Sequence, residues 1–263
     1  MIKIFTVDAF TDVPFKGNPA AVCLLEKKIE DELMQKIAFE MNLSETAFVY
    51  KLENGFSLRW FTPKSEVELC GHATLASAHI LWQEKILKSG EEAVFHSVYK
   101  GILKASQDEN GITLDFPANN PQLTQDVPGI DEALGVEYVN IYSTEHHYLV
   151  ELKSEEDLKR VHPDIDLLKA LPKYGTILTC KSQNKRFDFI SRFFAPAKGI
   201  YEDPVTGSAH CTLAPYWSAK LNKKTLKAFQ ASERGGILTV SVNEDRVLIS
   251  GKAFTVLSGI LNI

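Results

Sequence analysis

The side chains best suited to moving a proton or holding an anion fall in three short stretches. In "NLSETAFVY" (42–50), Glu45 stands at the mouth of an apolar run. A carboxylate there is either a turn or capping group facing water, or one held partly out of water to exchange a proton with a substrate. "ELCGHATLASA" carries Cys70, Gly71 and His72, and "YEDPVTGSAHC" carries Asp203, Gly207 and Ser208. In both, a glycine precedes small and apolar residues in a helical run. A helix start offers unpaired backbone N–H groups and the positive end of the helix dipole, and glycine lets a ligand approach closely. A single such start needs no explanation beyond a chain turning into a helix. A matched pair points to a site for a small anion, most simply a carboxylate.

The matching extends beyond the glycines. "RWFTPKSEVELCGHATLASAHILW" from Arg59 and "RFFAPAKGIYEDPVTGSAHCTLAPYW" from Arg192 both open Arg-aromatic-Phe-x-Pro, and the second has three extra residues in its polar loop. Upstream, "SETAFVYKL" corresponds to "YGTILTCKS", and the helical patterns "IEDELMQKIAFEMN" and "SEEDLKRVHPDIDLLKAL" precede them. Four elements in one order predict an internal duplication. Residues 72–83 and 208–219 lack a wide polar face, so each helix is expected to be buried nearly all round. Pro215 should kink the second or shift its first turns. Around them lie short β-branched and aromatic runs such as "IKIFTVDAF", "AAVCLL", "TILTC" and "ILTVSV". The expected fold is α+β, with two pseudo-symmetric domains, each a curved, mostly antiparallel sheet wrapped around a central buried helix. The Pro- and Asn-rich "DFPANNPQL" sets the junction, giving domains 1–117 and 118–263, with the strand near 253–263 a candidate to return to the first.

The copies differ where they carry chemistry. Ser44-Glu45-Thr46 corresponds to Tyr174-Gly175-Thr176, Cys70-Gly71-His72 to Thr206-Gly207-Ser208, and only the second copy inserts Glu202-Asp203-Pro204. The strand therefore does not itself require Glu45. Asymmetric polar groups on a symmetric frame are expected where one site is built at the junction of two halves.

Composition excludes several classes. A net charge of −5 gives no reason to expect nucleic acid or an anionic membrane as partner. No apolar stretch reaches transmembrane length, and "MIKIFTVDAF" lacks a signal-peptide layout. Cys23, Cys70, Cys180 and Cys211 are scattered without a CxxC pair, which predicts reduced thiols in a cytoplasmic protein and no structural metal site. His146 and His147 are adjacent, so on a strand they point to opposite faces and do not chelate together. His79 and His210 fall inside the buried helices and are expected to be hydrogen-bonded. No dinucleotide, Walker or GxSxG motif is present, and no cofactor is expected.

Together, "GNPAAV", "NLSETAFV", "FTPKSEVELCGHATLASA", "LDFPA", "YEDPVTGSAHCTLAPYW" and "FQASERGG" resemble the phenazine-biosynthesis isomerase-like (PhzF-like) family, in order from residue 17 to residue 236. The resemblance implies the diaminopimelate epimerase fold with its site between the domains. It implies a cofactor-independent isomerase acting on a small, cyclic, amino-acid-like carboxylate. Carried over residue by residue, Glu45 matches the proton-shuttling glutamate, His72 a histidine at the substrate, and Asp203 the aspartate of the DP-x-TGS motif. Gly71, Gly207 and Ser208 match the helix starts at the substrate carboxylate, while Asn18 and Gln230 belong to motifs lining the cleft. Racemases and epimerases of this fold use a cysteine before each central helix. Here Cys70 holds the first place and Thr206 the second, and a hydroxyl is far too weak an acid to replace a thiol. The rival readings are an epimerase or dehydratase using Cys70, and a binding protein that keeps the fold without the chemistry. A homodimer is compatible with all three.

Overall fold

The β-branched and aromatic runs become strands, and the small-residue stretches after Gly71 and Gly207 become the two longest helices. The computed structural model describes residues 1–125 and 127–263. In chain order the elements are β1 (Ile2–Ala9), β2 (Asn18–Leu25), α1 (Asp31–Met41), β3 (Glu45–Leu52), β4 (Gly55–Phe61), β5 (Glu66–Val67), α2 (Gly71–Gln83), β6 (Ala93–Ser97), β7 (Gly101–Asp108) and β8 (Gly111–Pro117). There follow β9 (Gln122–Thr124), α3 (Ile130–Leu134), β10 (Tyr138–Ser143), β11 (His147–Leu152), α4 (Glu155–Arg160), α5 (Ile165–Ala170), β12 (Gly175–Lys181) and β13 (Phe189–Phe194). The chain ends through α6 (Gly207–Leu221), β14 (Thr225–Gln230), β15 (Gly236–Asn243), β16 (Arg246–Gly251) and β17 (Ala253–Leu261).

The chain divides into two units, Met1–Asp115 with Ser250–Ile263, and Phe116–Ile249. In the first, the strands neighbour one another as β17, β1, β2, β3, β4, β6, β7, β8, with β2/β3 and β4/β6 parallel and the rest antiparallel. In the second, the order is β9 to β15, with β11/β12 and β13/β14 parallel and the rest antiparallel. The succession of parallel and antiparallel pairs is the same in both units. Each parallel pair is joined by helix: α1 links β2 to β3 as α4 and α5 link β11 to β12, and α2 links β4 to β6 as α6 links β13 to β14. The duplication visible in the sequence is therefore a duplication of topology.

Each sheet curls around its apolar helix. α2 packs on β1, β2, β3 and β17, and α6 on β11, β14 and β15. From His72 to Trp82 every α2 residue but His79 is buried. The polar ones among them are locally satisfied: Thr74 Oγ1 donates to Cys70 O (2.6 Å) and Ser77 Oγ to Ala73 O (2.7 Å). The first unit's strands are covered on the second face as well. Ala21, Cys23, Leu25 and Phe48 pack with Met34 and Ile37 of α1. Strands buried on both faces read as continuous apolar runs, which is why "AAVCLL" shows no alternation.

Two local expectations are refined. The pattern "SEEDLKRVHPDIDLLKAL" forms two short helices, because Pro163 lacks an N–H and disfavours helical backbone at His162. Pro215, by contrast, sits inside an unbroken α6. It cannot donate to the carbonyl one turn back, and that oxygen, Cys211 O, instead accepts from Asn119 N–H at 3.0 Å.

The two arginines that open the repeats hold equivalent places. Arg59 donates through Nε and Nη2 to both oxygens of Glu66 (2.7 and 2.8 Å), and Arg192 does the same to Glu202 (2.7 and 2.9 Å). Each guanidinium also lies against the phenylalanine two residues on, Phe61 at 5.2 Å and Phe194 at 4.9 Å. Each fork thus ties the loop leading into a central helix back onto its strand. Arg192 further donates to Leu158 O (3.0 Å) and Val161 O (2.7 Å). Arg192→Met leaves Glu202 and two carbonyls without their donor, and should cost about 3–5 kcal/mol in chemical denaturation. A cost below about 1 kcal/mol would mean that the fork does not hold its loop.

Candidate active site

In the first unit, three elements bring Glu45, Cys70, His72 and Asn18 together. α1 ends at Asn42, whose left-handed backbone (φ 49°) turns the chain and whose N–H closes on Ala38 O. After this turn Glu45 opens β3, paired in parallel register with Ala20 of β2. Asn18 begins β2 and is fully buried. The glycine before it, Gly17, is in the left-handed region (φ 66°), where a Cβ would lie 2.1 Å from Ala9 O. Only glycine lets the chain pass here. Cys70 is the N-cap residue of α2, and His72 is the second residue of the helix.

His72 is buried, with Nε2 3.2 Å from Glu45 Oε2 and Nδ1 3.2 Å from Asn18 Nδ2. Cys70 Sγ lies 3.5 Å from His72 Nδ1. Glu45 is itself only 9% exposed, and its Oε2 makes no hydrogen bond of good geometry, so it relates to the imidazole by charge. Burial pushes the Cys70 thiol up to about 11, with the Glu45 charge adding to it, so the thiol is protonated and neutral near pH 7. Burial also works against a charged His72, but its partners Cys70 and Glu45 outweigh it and hold the imidazole well above the ordinary histidine value. An imidazolium presents N–H to both sides. The Asn18 carboxamide can turn its oxygen to Nδ1–H, which leaves Nε2–H for the carboxylate.

Glu45, Cys70 and His72 also form a group of metal-capable donors, with one atom from each within 4.8 Å of the others. No spacing rule finds this group, because Glu45 comes from a strand far upstream of the helix start.

In the second unit, the equivalent helix start is held by an internal clamp. Thr206 is the N-cap residue of α6, and its hydroxyl donates a short hydrogen bond to Asp203 Oδ2. Gln230, at the end of β14, accepts from Thr206 N–H (2.9 Å) and donates to Asp203 O (2.8 Å) and Thr206 Oγ1 (3.1 Å). Gln230 is completely buried, and its amide is committed to these bonds. Asp203 is buried beside it, Gly207 is buried, and Ser208 is exposed. The first-turn N–H groups of Gly71, His72, Gly207 and Ser208 have no intrahelical partners. His210 Nδ1–H donates to Thr206 O (2.8 Å), and burial pushes this imidazole down to about 4, so it is neutral. His79 Nε2 pairs with Thr255 Oγ1 at 3.1 Å. His147 is buried beside Tyr174 while His146 is half exposed, so the adjacent pair does not form a joint ligand set. Sequence reading passed over Thr206 as a mere substitute for a thiol. The available signal was a hydroxyl three residues after an aspartate, close enough in sequence for Thr206 to donate to Asp203.

The phenazine biosynthesis-like (PhzC-PhzF) family model matches residues 7–259. The chain is 49% identical over 255 residues to an uncharacterized isomerase of Halalkalibacterium halodurans, covering 97% of this chain and 96% of that one. It is 47% identical over 287 aligned positions to the phenazine biosynthesis-like domain-containing protein 1 of Mus musculus, covering 99% of each. A PhzF-family structure from Enterococcus faecalis superposes with a TM-score of 0.93 at 44% identity, covering 98% of each chain. The chain belongs to the phenazine biosynthesis-like family and has its isomerase-type fold. No described helix is long and apolar enough to cross a membrane.

Two outcomes are expected from this geometry. The His72 imidazole should titrate in NMR well above 6.5, and Glu45→Gln should bring it down. Since the folded value is the raised one, the pair's stabilisation is fully present below the unfolded histidine value and fades as pH rises through the folded value. The melting-temperature gap between wild type and Glu45→Gln should therefore narrow as pH rises, and a gap that widens would refute the pairing. Gln230→Leu strands Thr206 N–H and Asp203 O, and should destabilise by about 2–4 kcal/mol. A stable Gln230→Leu protein with only a raised KM would instead make Gln230 a substrate contact.

Proposed function

We propose that this member of the phenazine biosynthesis-like family is a cofactor-independent isomerase that shifts a proton between two carbons of a small carboxylate-bearing metabolite, with Glu45 as the relay. The observation that carries this reading is a nearly buried carboxylate 3.2 Å from an imidazole and free of fixed hydrogen bonds at Oε2. The imidazole stands close enough to Glu45 to attract its carboxylate, yet Oε2, the oxygen that must receive a proton, is not tied up in a hydrogen bond of good geometry.

In this mechanism Oε2 takes a proton from one carbon, and the electron pair left behind spreads into the adjoining unsaturated system. The same oxygen then returns the proton to a second carbon, so the double bond moves and no electrons or water are consumed. His72 holds the relay's charge, and Asn18 orients His72. The helix start at Gly71–His72 supplies N–H donors for the substrate carboxylate. The clamp of Asp203, Thr206 and Gln230 keeps the start of α6 in shape.

A Cys70 epimerase is the second reading, favoured by the 3.5 Å approach of Sγ to His72. Against it stands a thiol pushed up to about 11, which is a poor resting base. Neither reading leaves a role for a pure binding protein, which has no use for a buried carboxylate–imidazole pair.

In deuterated water the product should carry deuterium at the receiving carbon, incompletely if transfer outruns exchange. Glu45→Gln should bind substrate within a few-fold of wild type and lose roughly 10²–10⁴ in turnover. Near wild-type turnover by this variant, with Cys70→Ser inactive, would move the chemistry to the thiol.

A further inference from the structure

We propose that Glu45, Cys70 and His72 also bind a thiophilic divalent cation of the zinc class, and that the bound ion closes the proton-transfer site. This goes beyond the isomerase reading, and its binding test does not depend on that reading. His72 Nε2 lies 3.2 Å from Glu45 Oε2 and 3.9 Å from Cys70 Sγ. A tetrahedral ion at usual zinc bond lengths needs an N···O edge of about 3.3 Å and an N···S edge of about 3.6 Å. The N···O edge is already met, and Cys70 Sγ, which now lies beside the ring 3.5 Å from Nδ1 and 3.9 Å from Nε2, reaches the ion by a turn of its own side chain. One sulfur, one nitrogen and one oxygen with a fourth position left over is the pattern of an open zinc site. Hard cations such as Mg²⁺ require all-oxygen octahedra and are not suited to it.

The surroundings also fit. Glu45 Oε2 is buried and without a hydrogen bond, so coordination displaces nothing from it but the attraction of the imidazole. A ligating histidine normally donates its other ring N–H to an outer partner. His72 Nδ1 faces the Asn18 carboxamide at 3.2 Å, and that carboxamide can turn its oxygen toward Nδ1–H. Binding releases the thiol proton of Cys70 and the Nε2 proton of His72 to solvent, and nothing is oxidised or reduced. The product is a dication with one thiolate, one carboxylate and one neutral imidazole. Its net charge is zero, which suits a site with so little exposure. While the ion is bound, the relay carboxylate and its imidazole are both occupied, so proton transfer stops.

The experiment uses the full chain freed of metal by dialysis. Co²⁺ is the spectroscopic probe, and Zn²⁺ competes with it. One Co²⁺ per chain should bind with a thiolate-to-cobalt charge-transfer band that Zn²⁺ abolishes and Mg²⁺ does not. Zn²⁺ should raise the melting temperature of wild type. Cys70→Ser and His72→Gln should each weaken Zn²⁺ binding by roughly 10–100-fold or more, while Cys23→Ser, a buried thiol elsewhere in the same unit, should keep the band. Absence of the charge-transfer band in wild type, or its survival in Cys70→Ser, overturns the proposal. So does equal Zn²⁺ affinity in His72→Gln, whose effect stands apart from any folding defect of the cysteine variant. No substrate enters the measurement, so its failure leaves the isomerase reading untouched.

Discussion

A helix without a polar face has to be enclosed. That requirement governs α2 and α6, whose small and apolar residues allow strands to close in on every side. The hydrophobic return is spread over the whole helix surface, about 25 cal/mol for each Å² removed from water. The enclosing strands must then be apolar on the face toward the helix. Those covered by α1 are apolar on both faces. Enclosure also buries Cys70 and His72 at the start of α2, and Asp203 and Thr206 before α6, so these side chains meet little water. The chemistry proposed for Glu45 and His72 depends on this, because an exposed carboxylate–imidazole pair is screened and weak.

The duplicated frame carries its asymmetry at the level of single pairs. In the first unit the parallel register sets Ala20 beside Glu45, and in the second it sets His147 beside Gly175. In each pair one residue is small and the other carries the functional group, but the strands exchange roles. A Cβ on Gly175 would lie 2.6 Å from His147 Cδ2 and 2.8 Å from Phe193. Gly175 is thus a packing requirement for its histidine, although its backbone is not left-handed. The clamp in one unit and the ion pair in the other follow the same principle. Each includes a residue at the start of a central helix, His72 or Thr206, and in each unit a forked arginine ties down the loop that leads into that helix.

Much of this was legible before any coordinates. The helices show in residues 72–83 and 208–219 as stretches with no polar stripe, and the duplication shows in the spacing from Arg59 to Gly71 and from Arg192 to Gly207. Glu45 and His72 stood out as polar groups that the repeat did not require. β7 was missed because "GILKASQD" buries only Ala105 and reads as a polar loop. β14, "TLKAFQ", hides its alternation behind two lysine-flanked positions. The Cys70–His72–Glu45 group and the commitment of Gln230 to Thr206 and Asp203 were not legible. They arise from the meeting of segments distant in sequence, and no local pattern encodes a side-chain amide spent entirely on backbone and hydroxyl partners.

The antiparallel pairing of β1 with β17, in which Ile2 lies opposite Leu261, has a consequence for how the chain comes off the ribosome. The unit spanning Phe116–Ile249 is continuous, so it can complete itself as soon as it is made. The unit that emerges first cannot. Until β17 arrives, β1 presents an open edge of unpaired N–H and C=O groups, the kind of edge that invites pairing with another nascent chain. Closing that edge also requires the longest loop in the protein, and such non-local pairings form late. The half that carries Glu45 and His72 is therefore begun first and finished last, and in that interval the open edge of β1 is available to other chains.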